Sequence, residues 1–265
     1  MRAVPLLLWA ASASFGQPDI TPLRREPLEK YDAYIRQTEA RIEREVHSPT
    51  FLWSSQSPAR LERVRAGAVV TEPGNGRGDV HLGGADIHDW IGAFFLRGAK
   101  IGQVTSFLSD FGVHKNYFFP EVTDSRLLSR TGNESLIYYR IVKKKWLTVV
   151  YNTNQTAYTY SVSPTRGYSR SFASRIAEVK DAGKPTEHEL PIGKDHGFLW
   201  RLNTYWRYEE KDGGVYVECE TVSLTRDVPF GWGWLVYPLI RNLPRESLAH
   251  ILESTREGVR ARQNY

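Results

Sequence analysis

The chain has 265 residues, 41% hydrophobic and 25% charged, which is the balance of an ordinary folded protein and excludes wholesale disorder, a collagen-like repeat and a small disulfide scaffold. Its formal net charge of +5, from 35 basic and 30 acidic residues, does not single out nucleic acid as a partner, although an anionic membrane surface is compatible with it. Cys219 is the single cysteine, so no intramolecular disulfide is available, and eight Trp with fourteen Tyr give much of the apolar surface a polar tip.

Residues 1–16 read as a secretory signal: Arg2, an apolar core from Leu6 to Ala11, then the small residues Ala13, Ser14 and Gly16, with cleavage expected after Ala13 or Gly16. The mature protein is then expected in the periplasm or outside the cell. A buried amphipathic start is the competing reading of the same residues. Residues 17–86 form an N-terminal extension. In it, Leu28, Tyr31, Ile35, Thr38 and Ile42 recur at alternating spacings of three and four, which predicts a helix over residues 28–47. Pro49 and Pro58 break the pattern, and Pro73 to Asp79 is a glycine-rich loop without the Gly-Lys-Ser/Thr ending of a phosphate loop. Its Arg77-Gly78-Asp79 triplet is read as a coincidence of loop composition rather than an adhesion signal.

From Ile87 onward the pattern is that of strands with one helical interruption. Ile91–Leu96 is apolar and ends at Gly98, after which Ile101, Val104, Leu108 and Phe111 predict a short helix. Strands are predicted at Val122–Ser129, Leu136–Val142, Trp146–Tyr160, Tyr168–Val179, Phe198–Glu209 and Val215–Thr225. The breaks between most of them are turn-like, Asp212-Gly213 most clearly, so successive strands should pair antiparallel. A Pro-led segment from Pro244 to Arg260 carries Leu248, Ile251, Leu252, Thr255 and Val259 on one face and predicts a closing amphipathic helix.

The expected class is α+β: a curved antiparallel sheet of about seven strands gripping a long C-terminal helix, with an additional N-terminal helix. Over residues 87–262 this order resembles the helix-grip superfamily of START lipid-transfer domains, polyketide cyclases and related ligand carriers. The resemblance is carried by His88-Asp89-Trp90, Phe119-Pro120-Glu121-Val122, Phe198-Leu199-Trp200-Arg201-Leu202 with Trp206, and Leu224 to Pro229. It implies an exported bacterial protein that binds or transports an apolar or amphipathic small molecule in an internal cavity. A cyclase-like enzyme using the same pocket and a structural domain with a filled core are the alternatives.

Alternation about an Asp212-Gly213 turn pairs Trp206 with Cys219, Tyr208 with Val217 and Arg207 with Glu218, and places Trp200, Trp206 and Tyr208 on one face, the expected interior. Arg207 and Glu218 then form a cross-strand ion pair on the other face. Arg175, on a strand with the small residues Ser169, Ser171, Ala173 and Ala177, and Glu220 are the titratable candidates for the pocket. The expected ligand-binding set is Arg175, Trp200, Trp206, Tyr208, Cys219, Glu220, Phe230, Trp232 and Trp234; the last three lie in the apolar segment 228–240, read as a lid able to touch a membrane. No catalytic residue or cofactor is assigned. His81, Asp86, His88 and Asp89 include potential metal ligands, but no metal is assigned to them, and Asp195-His196 lacks the nucleophile elbow that a hydrolase triad needs.

Overall fold

The structure, a computed structural model, describes residues 21–144, 148–227 and 242–264. The expected signal segment 1–16 and the lid residues Phe230, Trp232 and Trp234 lie outside the described residues.

The N-terminal helix α1 spans Arg25–Val46 and buries Pro27, Tyr31, Thr38, Ile42 and Val46, one stripe at helical spacing. A short helix α2 (Pro58–Arg65) follows, with Pro58 in its first turn and Ser57 Oγ accepting from the Arg60 backbone N–H. Strands β2 (Val70–Pro73) and β3 (Val80–His81) then pair with β4 (Ala85–Arg97). After helices α3 (Ile101–Ser109) and α4 (His114–Tyr117), the meander runs through β5 (Val122–Thr131), β6 (Glu134–Lys144), β7 (Thr148–Ser163) and β8 (Arg166–Lys180). It ends in the hairpin β11 (Arg201–Lys211) and β12 (Gly214–Arg226), and helix α5 (Leu243–Ala261) closes the chain.

The sheet path is β2-β4-β12-β11-β8-β7-β6-β5, antiparallel throughout. It holds ten strands rather than about seven, because β2, β3 and the two-residue β9 (His188–Glu189) attach to its edges. Strands of two to four residues are too short to show an alternating pattern in sequence. The first long strand also begins at Ala85, not near Ile91, since polar His88 and Asp89 interrupt the apolar run without interrupting the ladder. A separate pair joins β1 (Thr21–Pro22) to β10 (Lys194–Asp195).

The two faces of the sheet are covered differently. On the outer face, Tyr31, Ile42 and Val46 of α1 pack with Ile91, Ala93, Phe95, Tyr205, Val222 and Leu224, and the Tyr31 hydroxyl reaches the Val222 carbonyl at 2.9 Å. On the inner face, Leu248, Leu252 and Val259 of α5 pack with Phe94, Leu96, Val217 and Cys219. That approach depends on missing side chains. A Cβ on Gly92 would lie 2.5 Å from Leu252, and one on Gly258 would lie 2.0 Å from the Phe107 ring of α3.

Candidate functional site

The β11–β12 turn sets the register of the site. Asp212 and Gly213 both have positive φ, 56° and 74°, as a two-residue hairpin turn requires, and the ladder runs Trp206 to Cys219, Arg207 to Glu218 and Tyr208 to Val217. Alternation from these pairs puts Leu202, Thr204, Trp206 and Tyr208 of β11 on the inner face with Cys219, Thr221 and Ser223 of β12. Across the neighbouring ladders the same face receives Trp90, Ser169, Ser171, Tyr139, Tyr151 and Glu178.

Inner-face burial changes along the strands. Toward α3 and the C-terminal half of α5, Phe94, Leu96, Phe107, Tyr208, Val215, Val217 and Val259 are buried, and this end is a filled core. Toward the opposite end Trp90, Ser169, Ser171, Ala173, Leu202, Thr204, Trp206, Thr221 and Ser223 all keep partial solvent access although they point toward the helix side. Their outward neighbours Tyr205, Arg207, Glu220, Val222 and Leu224 are sealed under α1. Beyond α1 the outer face also keeps access at Arg170, Phe172, Arg201 and Asn203, but over β4, β11 and β12 the less completely packed face between Trp90 and Trp206 is the inner one. Small hydroxyl side chains and large rings share that surface, which suits an apolar body with a few polar contacts.

Three polar groupings border this end. Lys143 Nζ donates to Ser247 Oγ at 2.7 Å and pairs with Glu121, tying the first turns of α5 to β6. His88 Nδ1 lies 2.8 Å from Asp79 Oδ1 and its Nε2 lies 3.0 Å from Thr225 Oγ1, so the Asp of the Arg-Gly-Asp triplet is a half-buried partner of β4. Glu178 accepts from His196 Nδ1 and from the His196 backbone N–H at 3.1 Å, while His196 faces the Phe198 ring. Below them, the Tyr151 hydroxyl is buried without a hydrogen-bond partner, and burial pushes its proton affinity well above the ordinary phenol range.

Deeper in, His114 is enclosed by Phe107, Phe111, Phe118 and Tyr139. The Phe107 carbonyl, 3.1 Å from Nε2, can only accept, so Nε2 carries the proton and Nδ1 accepts from the Tyr139 hydroxyl at 2.7 Å. Burial holds the imidazole down to about 4. Both ring nitrogens are satisfied internally, which makes this pair part of the scaffold.

The structure divides the expected site residues. Trp206, Tyr208 and Cys219 share the inner face with α5; Tyr208 and Cys219 are buried, and Trp206 is half-buried. Burial pushes the Cys219 thiol up, away from nucleophilic character. Arg175 does not join them: the β7–β8 ladder passes from Ala173 to Arg175 across a register shift, which turns Arg175 outward to pair with Glu189 of β9. Trp200 precedes the first residue of β11 and belongs to the outer cluster, its Nε1 donating to Asp195 at 3.1 Å. Glu220 faces outward too, buried against Arg41 of α1.

That outer face is a buried polar layer rather than a solvated surface. Arg207 lies 3.5 Å from Glu218 and also pairs with Glu45 of α1, and Glu218 accepts from the Trp53 and Ser54 backbone N–H groups at 2.9 and 2.8 Å. The Tyr34 hydroxyl donates to Asp89 Oδ2 at 2.6 Å, leaving Asp89 Oδ1 and Glu220 Oε2 without donors. Burial first and the adjacent Asp89 carboxylate second push Glu220 up to about 7, and burial raises Asp89 as well. The four residues from His81 to Asp89 are thus divided: His81 pairs with Asp86, His88 with Asp79, and Asp89 with α1, and no group of three metal-capable side chains occurs among the described residues.

An antiparallel sheet that holds a C-terminal helix on its inner face is the helix-grip architecture, here with a second helix on the outer face. No family model matches the chain, and no curated relative matches it. It is similar in fold to a STAR-related lipid transfer protein from Xanthomonas axonopodis, with 16% identity over 73% of this chain and 98% of that one at a TM-score of 0.45. It is also similar to the Zhui aromatase/cyclase from Streptomyces sp. R1128 (9% identity, 66% and 95% covered, TM-score 0.43) and to a START superfamily protein from Mycobacterium smegmatis (13%, 68% and 99%, 0.40). The helix-grip assignment rests on the sheet path and the placement of α5 described above.

Proposed function

We propose that the protein binds an apolar or amphipathic small molecule between the inner face of the sheet and α5, without chemical conversion. The observation that carries this reading is a contrast between faces in the middle of the sheet: beneath α1 the outer face of β11 and β12 is buried down to Arg207, Glu218 and Glu220, whereas the inner face there keeps a run of half-accessible rings and hydroxyls from Trp90 to Ser171. A filled structural core has no reason to leave Trp206, Thr204 and Thr221 accessible while burying Glu220 and Arg207. Native mass spectrometry of protein purified from its own host tests it. A retained small molecule is expected, and a bare mass in every preparation, with no apolar probe bound, refutes it.

A cyclase-like reading is favoured by one observation, the His196–Glu178 pair bordering the same face, which is a group able to move a proton. Turnover of an added polyketone, lost in His196→Ala, decides for it. Export is proposed from residues 1–16, with the mature chain starting at Ser14 or Gln17; an intact Met1 terminus on native protein refutes it. Membrane contact through residues 228–240 predicts binding to anionic vesicles that falls in a folded Trp232→Ala, Trp234→Ala double variant.

A further inference from the structure

A buried phenol without a partner costs stability, about 1–3 kcal/mol for the lost hydrogen bond with water, so its persistence calls for an account. Tyr151 sits on β7 between Ile141 and Glu178 in the ladder, with Ile176, Phe198, Leu199 and Leu202 around it. Its hydroxyl has no partner, and the side chains packed against its cluster are apolar, the half-accessible Leu202, Leu199 and Phe198 among them, with Glu178 as its charged neighbour across the ladder. Trp90 Nε1, also on the inner face but several strands away, is a second buried donor without an acceptor. These two side chains therefore leave donors unused on a face where neither finds an acceptor.

Charge narrows the choice of what could use them. Glu178 and Asp195 lie close enough to Tyr151 for both carboxylates to raise its proton affinity, and Glu178 is itself buried. The same field that disfavours a phenolate disfavours a carboxylate or phosphate placed beside the hydroxyl. The phenol stays a donor, and the oxygen that accepts from it has to be uncharged.

Taking the ligand-binding reading as its basis, we propose that Tyr151 is the anchoring donor of the inner-face site and selects an apolar molecule bearing a neutral acceptor oxygen, a ketone, ester or hydroxyl, over an anionic amphiphile. The Tyr151 O–H donates to that oxygen while the apolar body lies along Phe198, Leu199 and Leu202. The selectivity comes from Glu178 and Asp195 acting at a distance.

Three naphthalene probes with one body test this: prodan, which carries a ketone; its carboxylate analogue 6-(dimethylamino)-2-naphthoate; and the propyl analogue without an oxygen. Each is titrated by fluorescence against the full chain and against Tyr151→Phe. The expected result is that prodan binds the parent at least tenfold more tightly than the carboxylate does. Tyr151→Phe weakens prodan about fivefold to tenfold, as loss of one hydrogen bond does, and leaves the propyl analogue unchanged. Bound prodan should also emit further to the blue in the variant, because its carbonyl has lost a donor. The variant should unfold at the parent's temperature or above it, since no partner inside the protein is lost; a midpoint several degrees lower means the hydroxyl is used internally and overturns the proposal. Equal binding of ketone and carboxylate, or loss of all probes alike in Tyr151→Phe, overturns it while the ligand-binding reading stands. Failure of all three probes to bind the parent overturns both.

Discussion

Replacing Glu220 by Gln should make the protein more stable at pH 8 and leave it nearly unchanged at pH 4.5. Glu220 is buried beneath α1, where the loss of water and the Asp89 carboxylate outweigh the opposing pull of Arg41 and Arg207, and its carboxyl titrates near 7 instead of the usual 4.5. Between those two pH values the folded chain holds a proton that the unfolded chain has released. Stability from this group is therefore fully present below about 4.5 and is lost as pH rises through about 7. A separation of roughly 2.5 between folded and unfolded values corresponds to about 3 kcal/mol at 1.36 kcal/mol for each tenfold step in proton concentration. Gln keeps the shape and the neutral state at every pH, so the difference between variant and parent should grow from near zero at pH 4.5 to about 3 kcal/mol above pH 8. For a chain of this size that is roughly 6–12 °C in Tm. Urea denaturation of both proteins at four or five pH values gives the difference directly, and other titrating groups cancel in the comparison. If the Gln variant is less stable than the parent at pH 8, Glu220 is ionised and held by Arg41 and Arg207, and the account of the outer layer is wrong.

The remaining predictions concern the scaffold. His114 should stay neutral down to about pH 4, so its contribution is present above its unfolded value of 6.5 and is lost, by about 3 kcal/mol, as pH falls through 4; a ring that titrates near 6.5 by nitrogen NMR contradicts this. Tyr139→Phe removes the donor to His114 Nδ1 and should cost about 1–3 kcal/mol in urea denaturation, whereas an unchanged midpoint would mean that Nδ1 has another donor. Gly258→Ala drives a methyl into the Phe107 ring and should cost about 1–3 kcal/mol or more, read as a lower Tm with a preserved far-ultraviolet spectrum; a neutral effect would place α5 further from α3. Cys219 should resist a thiol reagent in the native protein and react at once in denaturant, and rapid native labelling would put β12 at an open surface.

Much of the frame was legible from local pattern. The stripe from Leu28 to Ile42 marked α1, and the face from Leu248 to Val259 marked α5. Asp212-Gly213 fixed a hairpin register in which Trp206 meets Cys219 and Arg207 meets Glu218, because a two-residue turn leaves one pairing open to the strands it joins. Alternation failed where its assumption failed. At Arg175 one extra residue in β8 reverses the face, and at Trp200 the strand has not yet begun, so its ring turns to the outer cluster.

What covers each face was decided by tertiary structure alone. Arg207, Glu218 and Glu220 carry the sequence pattern of a solvated face, and α1, whose Arg41 and Glu45 lie 179 and 162 residues upstream of their partners Glu220 and Arg207, buries them. Sequence spacing gives no hint that Glu178 will meet His196, since a strand end and a loop supply the two halves. Tyr151 reads as any core tyrosine on an apolar strand; only the full set of neighbours shows that its hydroxyl has no partner. Alternation is a property of neighbouring peptides, whereas the burial and pairing of a polar tip depend on segments far away in the chain.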